Sequence, residues 1–135
     1  MEKILLLAHT QDDGSLPKAA YEALNAALQA AADLDSAALT VGLIGSDVKA
    51  AADSLAACGA SGILAVSGED FAASRYASDV AAVEALVKAA DPTLVLAPTS
   101  SRFSRCLPGA AFRCDGRIET HITGIDVVDA TLQVQ

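Results

Sequence analysis

Tryptophan is missing from these 135 residues, and aromatic side chains of every kind make up only 4%. A core with so few rings must be filled by alanine and branched aliphatics. That suits helices packed closely on a sheet and argues against an aromatic-rich β-sandwich. Positive charge is scarce too: nine Lys and Arg stand against seventeen Asp and Glu, a net charge of −8. A chain so balanced lacks the basic face that duplex recognition needs, so nucleic acid is not an expected partner. The three cysteines, Cys58, Cys106 and Cys114, form no C-x-x-C pair and no zinc spacing. An odd number of scattered thiols points to a reducing, intracellular compartment, where they act as small apolar core residues. No apolar run approaches the ~18 residues of a membrane span. Met1-Glu2-Lys3 leads straight into a strand and leaves no room for a signal peptide. The expectation is a soluble cytoplasmic protein with no membrane insertion.

What is present is a regular alternation, read as one domain over residues 1–135. Lys3 to His9 (KILLLAH) is a continuous apolar run, as in a strand covered on both faces. Gln11 to Ser15 is turn chemistry, Ser15 can cap a helix, and Pro17 suits its first turn. The helix runs to Ala32 with Ala20, Leu24, Ala27, Leu28 and Ala31 as its buried stripe. Ala38 to Ile44 is a second strand, ended by Gly45-Ser46-Asp47. A short helix follows with Val48, Ala52 and Leu55 inward and Gly59 as its stop. Gly62 to Val66 is a third buried strand. Ser74 to Ala90 is a helix with Tyr76, Val80, Val83 and Val87 on one side, stopped by Asp91-Pro92. Thr93 to Ala97 is the fourth buried strand. Ile118 to Val128 and Thr131 to Val134 read as an extended hairpin about Asp129-Ala130. Four strands alternating with helices predict a doubly wound, mostly parallel α/β sheet with helices on both faces and an antiparallel C-terminal edge hairpin. The chain stops inside the last strand, which suggests a fragment.

The stretch from Leu94 to Asp115 organises the rest. Its apolar run ends in Pro98 and the hydroxyls of Thr99, Ser100 and Ser101, then becomes a helix with Phe103, Leu107, Ala110, Ala111 and Cys114 on one face. A strand ending in hydroxyls just before a helix N-terminus suits an anion or nucleotide, because free N–H groups and the helix dipole point there. Thr99, Ser100 and Ser101 are therefore the candidate phosphate or partner-loop site; equally, their hydroxyls can serve as an N-cap. The glycines that would let a phosphate approach are missing. Neither G-x-G-x-x-G nor G-x-x-x-x-G-K-[ST] occurs, and G-x-S-x-G and H-E-x-x-H are absent too.

Other chemistry-bearing residues have ordinary explanations. His9 ends the first strand, where ligands bind in such sheets, but it has no companion ligand in sequence and reads as a structural histidine. Asp12 and Asp13 beside Gly14 read as turn residues rather than metal ligands. Tyr21, Tyr76 and Phe71 read as core aromatics. Arg102, Arg105, Arg113 and Arg117 crowd one stretch, either an anion or acidic-partner surface or a solvated helix face.

Two stretches carry a family likeness. Leu5-Leu6-Leu7-Ala8-His9-Thr10-Gln11-Asp12-Asp13-Gly14-Ser15-Leu16, followed by an alanine-rich helix, resembles the N-terminus of electron transfer flavoprotein α-subunits. Leu96-Ala97-Pro98-Thr99-Ser100-Ser101 through Leu107-Pro108 to Ala110-Ala111 and Asp115 resembles the family's L-A-P-x-T/S segment, and Ile122 to Val134 its next strands. The chain departs from the pattern where the family's Gly-Arg/Lys pair is Phe103-Ser104 and its arginine after the proline is Gly109. Those departures fit a divergent paralogue.

The resemblance implies an adenine nucleotide α hydrolase-like fold with a degenerate nucleotide site. It implies a heterodimer with a β-subunit that holds AMP, fed by acyl-CoA-type or other flavin dehydrogenases and drained by a quinone-linked acceptor. FAD would lie mainly on a C-terminal domain absent from this sequence, so no cofactor is expected on this chain alone. The chain would be a scaffold and interface domain without redox chemistry of its own. The competing reading is a stand-alone nucleotide-binding protein resembling the universal stress proteins, which should carry a glycine-rich phosphate loop after the fourth strand; residues 98–109 contain only Gly109. An enzyme acting at His9 with Asp12 or Asp13 is the third.

Overall fold

The computed structural model describes residues 3–11, 15–33, 38–55, 62–71, 76–92, 94–98, 101–113, 125–128 and 131–134. Its elements are β1 (Lys3–His9), α1 (Lys18–Asp33), β2 (Ala38–Gly45), α2 (Lys49–Leu55), β3 (Gly62–Ser67) and a short 3₁₀ turn at Glu69–Phe71. Then come α3 (Tyr76–Ala90), β4 (Leu94–Leu96), α4 (Ser101–Arg113), β5 (Ile125–Val128) and β6 (Thr131–Val134).

Four strands form a parallel sheet in the order β3-β2-β1-β4. The order explains the layers. From β1 to β3 the chain steps in one direction; from β3 to β4 it crosses back over β2 and β1. Because parallel crossovers are right-handed, reversing direction moves the connecting helix to the opposite face. α1 and α2 therefore cover one face and α3 the other, with α4 beside α3, giving the doubly wound arrangement that the alternating pattern predicts.

β1 sits between these layers. Its even positions Ile4, Leu6 and Ala8 join Leu39, Val41 and Leu43 of β2 against Ala20, Leu24, Ala27 and Ala30 of α1 and Ala51 and Leu55 of α2. Its odd positions Leu5 and Leu7 join Ile44 against Val80, Val83 and Leu86 of α3 and Phe103, Cys106 and Ala110 of α4. All five residues Ile4 to Ala8 are buried. At about 1.5–3 kcal/mol per large aliphatic side chain, this one strand contributes to both cores at once.

Several local expectations change. β3 and β4 are half-buried rather than buried, because each lies at an edge of the sheet and is covered less completely. Tyr21 is exposed rather than in the core: it follows Ala20 and falls off the α1 stripe that faces the sheet. Phe71 packs against the α3 layer as expected, while the Tyr76 side chain lies outside the described residues. Leu86 and Ala30 are core residues beyond the predicted stripes.

The ends of the helices are legible in their chemistry. Asp47 Oδ1 accepts the Lys49 N–H at 3.1 Å, which caps α2. α3 closes with the Asp91 N–H donating to the Val87 carbonyl at 2.8 Å. Asp91 takes the left-handed conformation there, with φ of 48°, and Pro92 prevents continuation. Pro108 lies inside α4 and removes the amide that would bond to the Ser104 carbonyl.

The C-terminal hairpin forms, with Val128 opposite Thr131 and Ile125 opposite Val134. Among the described residues it does not pair with the main sheet: β5 and β6 make a separate two-stranded sheet, and β5 runs beside α1. Gly59, residues 118–124 and the turn at Asp129-Ala130 lie outside the described residues.

Candidate functional site at the strand ends

In a parallel sheet of this order the strands flanking β1 lead to helices on opposite faces. The C-terminal ends of β1 and β4 therefore border the crevice where such folds take ligands. His9 ends β1, and its side chain, continuing the row of Leu5 and Leu7, meets the α4 layer. Its ring lies 5.2 Å from that of Phe103, centroid to centroid, with the planes tilted at 56°. Phe103 is buried, so on this side the end of β1 is filled by packing.

The other side of β1 is filled as well. Thr10 continues the ladder by donating its N–H to the Ile44 carbonyl at 2.9 Å, and it is buried. Its side chain lies over Gly45, the last residue of β2. A methyl group on Gly45 would fall on Thr10 Oγ1, with Thr10 Cβ at 3.0 Å and Cγ2 at 3.3 Å. The Gly45 carbonyl accepts the Gly68 N–H at 3.2 Å, tying the end of β3 to the same corner. Gly68 has φ of 148°, a conformation that side chains rarely tolerate. Beyond Thr10 the chain turns back on itself: Gln11 N–H donates to the Ser15 carbonyl at 2.8 Å, and the Ser15 hydroxyl donates to Gln11 Oε1 at 3.0 Å. A nucleotide or flavin needs backbone that it can approach at these strand ends. The space that Gly45 leaves is taken by Thr10, and the space beside His9 by Phe103.

Of the residues singled out from sequence, Thr99 and Ser100 lie outside the described residues. Ser101 opens α4, but its side chain lies outside them too. Asp12, Asp13, His121, Cys58, Cys114 and Arg117 are likewise outside. Among the described residues no group of three His, Cys, Asp or Glu side chains is placed to hold a metal. Cys106 is buried in the α4 layer, as expected of a small apolar residue.

Two of the α4 arginines, Arg105 and Arg113, have described side chains. Arg105 is exposed, and the Arg102 side chain lies outside the described residues. Arg113 instead reaches α3, with Nη1 3.3 Å from Glu84 Oε2, while Lys88 Nζ lies 2.9 Å from Glu84 Oε1. Hydrogen bonds from Lys88 first and Arg113 second hold the Glu84 carboxyl below the usual carboxylate range. Asp79, in the first turn of α3, is a buried acid. Sequence reasoning passed over Glu84, Asp79 and the Thr10–Gly45 contact. The Glu84–Lys88 spacing of four was a signal for the first.

The fold defines a doubly wound α/β domain of the Rossmann-like type, with a four-stranded parallel sheet between helix layers. Within that class the chain belongs to the electron transfer flavoprotein domain family, whose sequence model matches residues 4–135. A comparison with the curated proteins finds no match. Among the described residues no helix is long and apolar enough to cross a membrane.

Proposed function

We propose that this chain is the N-terminal domain of an electron transfer flavoprotein α-subunit and serves as a scaffold and heterodimer interface in the cytoplasm, with no redox chemistry of its own. The family membership supports a role in electron-transfer complexes. What supports the finer reading is the packing at the described strand ends, with Thr10 lying over Gly45 and Phe103 against His9. On this reading the FAD of the complex is held mainly by the α-subunit's C-terminal domain and AMP by the β-subunit. Acyl-CoA-type or other flavin dehydrogenases act through the whole complex.

The test is co-expression of the complete α-subunit reading frame with a neighbouring β-subunit gene, followed by intact mass and visible absorption of the purified material. A yellow complex containing a second subunit is the expected result. A colourless chain that purifies alone and binds AMP or ATP at micromolar concentration would overturn the proposal in favour of a stand-alone nucleotide-binding protein.

A further inference from the structure

We draw no further inference here: the strongest candidate, the outer edge of β4 with its exposed Val95, is a strand edge beside the α4 layer, and nothing among the described residues shows what covers it.

Discussion

Replacing Gly45 by alanine tests the strand-end corner most directly. The added methyl lands on Thr10 Oγ1 and close to the rest of that side chain. Thr10 has little freedom to withdraw, because it is buried and its N–H is held by the Ile44 carbonyl at 2.9 Å. Gly45 is held in turn, since its carbonyl accepts from Gly68. An overpacked site of this kind costs about 1–3 kcal/mol. In a domain of this size that lowers the melting temperature by roughly 3–12 °C. Differential scanning calorimetry or urea unfolding followed by circular dichroism measures it. The decisive comparison is the double variant Gly45→Ala with Thr10→Ala. Removing Oγ1 and Cγ2 leaves Thr10 Cβ at 3.0 Å as the remaining close neighbour, so rescue is expected to be partial. The two substitutions should couple favourably by about 1 kcal/mol or more. A Gly45→Ala protein that melts with the wild type, or a double variant no more stable than the summed single effects, would refute the reasoning.

Gly42→Ala provides the contrast. The nearest neighbours of its new methyl are the flexible ends of Leu86, Leu5 and Leu7, at 3.1, 3.3 and 3.4 Å, so its cost is expected to stay near or below about 1 kcal/mol in the same melts. Phe103→Ala empties the space beside His9 in the α4 layer and should cost about 3–5 kcal/mol in urea unfolding. Glu84 has a folded-state pKa below that of the unfolded chain, so its contribution is present above the ordinary carboxylate pKa and is lost as pH falls through the lowered value. Glu84→Gln should therefore flatten the acid limb of stability against pH, measured from pH about 6 down to about 3. The difference should shrink in high salt, because Lys88 and Arg113 are well exposed.

Much of the architecture was legible because it rests on patterns the chain states locally. Between Lys3 and His9 the run ILLLA has no polar position to turn toward water, so a two-sided strand was the natural reading, and β1 is buried from Ile4 to Ala8. The Ala20, Leu24 and Ala27 repeat likewise fell on the face that packs against the sheet. Edge and centre were not legible. GILAVS and the run around Leu94 are as apolar as β1, and only the order of pairing decides which strands lie outermost. The hairpin followed the same rule: alternation predicted its two strands, while its separation from the main sheet depends on tertiary placement. At the strand ends, His9 stood out by residue type and position. Thr10 and Gly45 lie 35 residues apart, and their contact depends on the β1–β2 register that matches His9 with Ile44.

The placement of β1 also sets an order of assembly. Its partner β2 follows after one helix, so β1, α1, β2, α2 and β3 form a contiguous run from Lys3 to Ser67 that closes the first core with short-range loops. The other edge of β1 waits for β4, which pairs Ile4 with Leu94 across 90 residues. During synthesis Leu5, Leu7 and Ile44 emerge early, yet their covering layer, α3 and α4, is complete only at Arg113. Non-local pairing of this kind slows folding, because a long loop must be closed before its contacts form. A nascent chain stalled before α3 therefore presents an aliphatic sheet face to its surroundings, which makes that interval the one in which chaperone protection matters most.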